Sequence, residues 1–483
     1  MNQLKTIARR QLLARGFQPD FSNAALAEVG SANAPAAGTD PKIRDLRHLL
    51  WASIDNDASR DLDQLSVAEA LPKGAVRVFV AIADVDALVP LGSAVDAHAQ
   101  ANTVTVYTAA AIFPMLPEHL STDVTSLGEG VDRLAVVTEM EVAADGSLGR
   151  SDVYRAWVHN YAKLAYNSVA AWLEGNAPAP ERVAAVKGIA EQLRLQDGAA
   201  QALRKLRFQH GALSLETPRA EAVFSGDQLT DLRSDEGNRA KELIEDFMIA
   251  ANGVVARFLT AKHFPSVRRV LRSPKRWARI QALAQELGTS LPAEPDGGAL
   301  SAFLGKRRHE APDKFADLSL SVVKLLGRGE YVVDLAGQQA IPHFGLAASD
   351  YAHSTAPNRR FADLVTQRLL KSAIGGAAIP YSAEQLALIA AHCNDQEANA
   401  AKVERQVEKS AAAQLLTSRL HERFDGIITG ASEKGTFVRI NHPVTEGKVM
   451  RGAQGLDVGD RVQVELTHVD IEQGFIDFAR VSQ

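Results

Sequence analysis

The sequence predicts an α+β protein, a mixed domain built on a central sheet and followed by a small β-barrel. Three observations carry this. Apolar runs of strand length, some continuous and some alternating, cluster between residues 75 and 159. Helical spacing of apolar residues dominates from Lys163 to about Glu422, interrupted by few strand-like segments. The last sixty residues then switch to short strands separated by glycine turns, the rhythm of a small barrel.

Taken in order, residues 1–16 read as an amphipathic helix. Leu4, Ile7, Ala8 and Leu12 share one face, Lys5, Arg9, Arg10 and Arg15 are interspersed, and Gly16 is a C-cap candidate. Ser22 is placed to cap a second helix through Val29. Residues 1–30 thus form a short helical module, either a nucleic-acid-binding element or a docking arm with a solvated basic side. The Ala-, Gly- and Pro-rich residues 31–44 form a linker. A mixed domain is expected over 45–420 and the barrel over 423–483. Within the mixed domain, 75–84 reads as a buried strand ending at Asp84, and 134–142 with 148–159 as a hairpin. Helices are expected over 163–209, 235–263, 274–287 and 312–327, and residues 211–224 read as strand. Residues 331–335 read as a strand leading into the polar loop 343–356. Pro357 is expected to open a helix to about Lys371, and a long helix follows from about Ser382 to Glu422.

Composition excludes several classes. A chain of 483 residues suggests two to four domains, and its 46% hydrophobic and 23% charged content is ordinary for a globular protein. A single cysteine, Cys393, rules out an intramolecular disulfide and a thiolate zinc site. No apolar run approaches a membrane span and no signal-peptide core is evident, so a cytoplasmic protein without a membrane partner is expected. The net charge of −5 means that any nucleic-acid binding must come from a local channel.

Two stretches carry chemistry. Asp55, Asp57, Asp61 and Asp63 all fall on odd numbers within nine residues, and crowded carboxylates either raise their pKa values or bind a cation. A hard ion such as Mg²⁺ takes one or two carboxylates and leaves positions for phosphate. A solvated acidic loop is the alternative reading. The second stretch, 343–363, combines Pro357 at an expected helix start with Arg359 and Arg360, a combination suited to a phosphate. The alternative there is a routine helix start with an Arg359–Asp363 pair one turn apart. Together the two stretches favour phosphoryl transfer.

These residues resemble the ribonuclease II family of 3′→5′ exoribonucleases. Asp55, Asp61 and Asp63 match its acidic signature. Val80-Ala-Ile-Ala-Asp84-Val85, Tyr107, Pro114 to Pro117, Ser126-Leu127, Ala162 to Tyr166 and Leu243 to Met248 match in order. The run Tyr-x-His-x-Thr-x-Pro-x-Arg-Arg-x-x-Asp at 351–363 is the most distinctive segment. The tail resembles the RNA-binding OB-fold barrel named after a ribosomal protein, through Gly426, Gly435-x-Phe437, Glu446-Gly447 and Gly459-Asp460.

The resemblance implies an RNB-type catalytic domain with an RNA channel, followed by an OB fold. It implies a processive hydrolase that threads the 3′ end of RNA and releases nucleoside 5′-monophosphates by way of metal-activated water. No protein partner is implied. Asp55, Asp61 and Asp63 would bind one or two Mg²⁺ ions, and Arg359 would stabilise the scissile phosphate. Tyr107 would stack on terminal bases, Tyr166 would position the 3′ end, and Arg360 and Glu404 would contact the substrate. On the barrel, Phe437 and His442 are base-stacking candidates, with core packing the alternative for Phe437, and Lys434 and Arg439 are phosphate contacts.

The chain also departs from the family. Gln64 stands where a fourth aspartate is usual, with Asp57 the possible compensation, Leu215 near a second stacking aromatic, and Gln367 where histidine is common. About 45 residues precede the matched region. That is too few for the paired cold-shock barrels of many relatives, so altered handling of duplex RNA is expected. The rivals are a family member that holds RNA without cutting it, with Gln64 as the lesion, and a DNA-directed regulator led by the N-terminal helices.

Overall fold

In the computed structural model, the described residues are 2–31, 40–216, 219–225, 228–235, 237–335, 340–432 and 435–481. Most of the linker and Lys434 lie outside them.

The central sheet contains Arg44–Asp45, Trp51–Asp55, Gln64–Ala70, Val76–Ala83, Asp132–Val142 and Leu148–Ala165. Their spatial order is 44–45, 148–165, 51–55, 64–70, 76–83, 132–142. The 18-residue strand Leu148–Ala165 bridges both ends of this order. Its first part pairs antiparallel with Asp132–Val142, and its last residues run parallel to Trp51–Asp55, with Ala165 opposite Asp55. The curved sheet therefore brings the carboxylate end of one strand beside the end of another. Trp51, Ile54, Leu65, Val78 and Val80 lie in its core, as their apolar runs require.

Helices Ile189–Gln209 and Arg239–Ala261 pack together beside the sheet. Asn238 caps the second by accepting from Lys241 N–H at 3.0 Å. Trp277–Glu286, Gly297–Glu310 and Pro312–Leu326 form a three-helix group around Trp277, Ile280, Phe303 and Phe315. The 34-residue helix Ala383–Leu416 starts with a full capping box, Ser382 with Gln385. At the other end, strands 423–432, 435–441, 444–451, 461–470 and 475–480 close into a barrel. Gly447 is required there, since a Cβ would lie 2.5 Å from Ile476 O.

Several expectations are corrected. Residues 211–216 are irregular, and the strand begins at Arg219, paired in a hairpin with Gln228–Asp235. The strand Ser266–Val270, paired with Glu330–Asp334, had no expected counterpart, because only its distant partner defines it. Pro357 does not open the helix. Residues 357–359 form a turn, Arg360 bridges to Val104, and the helix runs Phe361–Gly375. The N-terminal helix Asn2–Leu13 buries Leu4, Ile7, Ala8 and Leu12, as its spacing predicts, against Val403 and Val407 of the long helix. Its arginines are engaged, Arg9 with Asp20 and Arg10 with Glu472 at 2.7 Å, which favours the docking arm over a nucleic-acid-binding face.

Candidate active site

The acidic stretch leaves the sheet at Asp55 and returns at Gln64. Its loop is held from outside: Ser126 Oγ donates to Arg60 O at 2.8 Å and accepts from Leu62 N–H at 3.1 Å. Leu127 N–H donates to Leu62 O at 3.0 Å. Ser126 and Leu127 belong to a motif matched in sequence, but their clamping role had no local signal. Asp55 is half-buried, and its Oδ1 accepts from Ser59 Oγ at 2.9 Å. Asp63 is buried, and its Oδ1 has no hydrogen-bond partner among the described residues. Burial pushes the Asp63 carboxyl up to about 7, opposed chiefly by the Arg359 charge. Burial and, less strongly, Asp55 also raise Asp61.

Arg359 faces this cluster, with Nε 3.4 Å from Asp63 Oδ2 and its side chain 45% exposed. Arg360 is placed differently. Its Nε and Nη2 donate to the two oxygens of Asp363 at 2.8 and 2.7 Å, and Nη2 also reaches Thr355. The pair next to the helix start is therefore Arg360–Asp363, not Arg359–Asp363, and Arg360 is committed to the protein interior rather than to a substrate. The reason is backbone placement: Thr105 N–H donates to Arg359 O, Phe361 N–H to Thr103 O, and Asp363 Oδ1 accepts from Ala356 N–H. Those bonds turn neighbouring side chains to opposite sides.

The same short ladder positions Tyr107. Its backbone N–H donates to Glu404 Oε1 at 3.1 Å, joining residues 297 apart in sequence. Tyr107 keeps 42% of its surface exposed. Its hydroxyl pKa is raised by burial and, beyond that, by Asp61, Asp63 and Asp55, with Arg359 opposing. Tyr166 begins a helix directly after Ala165, opposite Asp55, and its hydroxyl is raised by burial and then by Asp55. Asp55, Asp61, Asp63, Tyr107, Tyr166, Arg359 and Glu404 thus converge.

Phe437 does not join them. It lies on the barrel wall, half-buried against Gly430, while Val438 and Ile440 fill the core, so the core alternative fails. Arg439 pairs with Asp317 of the three-helix group at 2.8 Å and is not free for phosphate. Gln64 is a strand staple whose Nε2 donates to Ile54 O at 3.0 Å, leaving Oε1 buried and without a partner among the described residues. Asp57 is exposed on the loop. Leu215 packs on the three-helix group, and Gln367 bridges Ala83 O and Asp86 N–H.

Among the described residues, no three His, Cys, Asp or Glu side chains are gathered as a metal cage. The donor set nevertheless suits a hard, hydrated divalent ion held by one or two carboxylates, because Asp63 Oδ1 is a buried oxygen donor without a partner.

The family described as "RNB domain" matches residues 43–376, and "RNase II-type exonuclease C-terminal S1 domain" matches 422–481. The chain belongs to the RNB family. It is 29% identical over 480 residues to Ribonuclease R of Aquifex aeolicus, across 91% of this chain and 65% of that protein. The chain thus spans less than two thirds of the length of that curated relative. By structure, this RNB chain is similar to Mycoplasma genitalium RNase R, solved with ribose-methylated single-stranded RNA. The TM-score is 0.87 at 21% identity, covering 98% of this chain and 77% of that one. It also resembles yeast Ssd1, a pseudonuclease, with a TM-score of 0.73 at 15% identity, covering 96% of this chain and 58% of that one. Among the described residues no helix is long and apolar enough to cross a membrane.

Proposed function

We propose that this RNB chain is a metal-dependent, processive 3′→5′ exoribonuclease that hydrolyses RNA to nucleoside 5′-monophosphates. The observation that carries the reading is the pairing of buried, partly unsatisfied Asp63 with half-exposed Arg359 beside Tyr107. Charges left incompletely paired near an open ring are what an anionic substrate with a stacking base would complete.

In this mechanism Asp55 and Asp63, with Asp61 beside them, would hold Mg²⁺. A bound divalent ion supplies charge neutralisation and a water of lowered pKa. Arg359 donates to the scissile phosphate and stabilises its growing charge. The Tyr107 ring stacks on the terminal base, and the Tyr107–Glu404 bond fixes where that ring stands. Tyr166 borders the 3′ end. Phe437 offers a stacking face further out, on the barrel wall.

The second reading, a member that binds RNA without cutting, draws on Gln64, which brings no charge, and on a pseudonuclease with the same fold. Incubating 5′-labelled poly(A) with Mg²⁺, with EDTA, and as the DNA counterpart separates the two. Stepwise shortening of the labelled RNA from its 3′ end that stops with EDTA is expected. Bound but intact RNA would favour the second reading, and equal cutting of DNA would contradict the substrate assignment.

A further inference from the structure

In a chain of net charge −5, residues 262–285 contain seven Lys or Arg and no Asp or Glu. The fold accounts for part of this. Arg268 is paired with Asp334 at 2.9 Å, Arg269 with Glu397 at 2.7 Å and Arg272 with Glu330 at 2.5 Å. Lys275, Arg276 and Arg279 are different. All three are exposed, and none has an ion pair among the described residues. They sit at the first turn of helix Trp277–Glu286, where the helix dipole is already positive, so they oppose rather than assist helix stability. Three like charges held together without a structural partner point to an external polyanion.

Their position links two parts of the molecule. On one side, the preceding strand is joined to the site loop: Arg269 N–H donates to Tyr351 O and Phe344 N–H to Leu271 O, both at 2.8 Å. On the other, the helix continues to Leu283 and Leu287, which line a 140 Å³ groove shared with the barrel. That groove carries Lys314 and Arg461, both exposed and without an ion pair among the described residues. Arg276, Arg279 and Leu283 follow one another at helical spacing, so one helix face leads from the site loop to the barrel.

We propose that Lys275, Arg276 and Arg279 form a phosphate-backbone track for the single-stranded RNA upstream of the bound 3′ end, guiding it from the barrel groove toward the site. This rests on the reading of the substrate as RNA. Contacts of this kind are sequence-independent and salt-sensitive.

The test is binding without turnover. Affinity is measured by fluorescence anisotropy in EDTA, over a range of salt, for the wild type and the variant Lys275→Gln/Arg276→Gln/Arg279→Gln. The probes are single-stranded RNAs of about 20 and about five nucleotides, the short one reaching only the end-binding aromatics. Long-RNA affinity should fall about tenfold or more, and its salt slope by about 2, or 0.7 per lost phosphate contact. Short-RNA affinity should not change. An unchanged long-RNA slope overturns the track alone, as does an equal loss for both lengths. A wild type that binds neither RNA overturns the exoribonuclease reading together with the track.

Discussion

Two buried charge clusters in this protein are built in opposite ways. Just after strand Val76–Ala83, Asp84 is buried and saturated, with Arg155 at 2.8 Å and Lys371 at 2.9 Å, while Lys371 also reaches Asp86 at 2.7 Å. Just before strand Gln64–Ala70, Asp63 is also buried, but one oxygen has no partner among the described residues and the other meets Arg359 only at 3.4 Å. Arg360 and Arg359 repeat the contrast at adjacent positions, one bidentate on Asp363 and the other half-exposed. Saturated charge holds the fold, whereas incompletely paired charge is available to a ligand.

The comparison can be broken at its strongest point. Asp84→Asn weakens two buried cation contacts and should destabilise the protein by roughly 3–5 kcal/mol in urea unfolding, with RNA affinity of the folded fraction unchanged. Arg359→Gln should do the reverse, lowering the hydrolysis rate about 10²–10³-fold with little change in unfolding midpoint. Tyr107→Ala should weaken binding of short RNA by roughly 1–3 kcal/mol, read by competition, and leave the rate of bound RNA less affected. A smaller effect concerns pH. Burial lowers His343 to about 4, and its Nδ1 accepts from Leu346 N–H at 3.2 Å. The unfolded imidazole protonates near 6.5, so between these values the unfolded chain binds more protons and stability falls as pH drops. His343→Asn keeps an acceptor for Leu346 N–H and should flatten that slope in thermal melts across this range.

Local pattern made much of this legible. The face of the N-terminal helix, the strand ending at Asp84 and the turn rhythm of the barrel follow from spacing alone. The acidic stretch and Arg359 stood out by composition, and the geometry brings them together. What stayed hidden depends on distant partners. Arg359 and Arg360 are equivalent in sequence, and only the ladder to residues 103–105 separates their roles. Gln64 is an uncharged substitution in sequence and a crosslink to Ile54 in three dimensions. The Ser126 clamp and the Tyr107–Glu404 bond join segments that no local window spans.

The most direct test is Asp63→Asn, followed by single-turnover hydrolysis of 5′-labelled RNA, RNA binding and thermal unfolding on one preparation. The account predicts hydrolysis lost, RNA still bound, and stability unchanged or raised by about 1 kcal/mol at pH above 7, because a buried, incompletely paired charge is removed. Hydrolysis within about tenfold of wild type, or a loss of stability like that expected of Asp84→Asn, would contradict the division between saturated and incompletely paired charge.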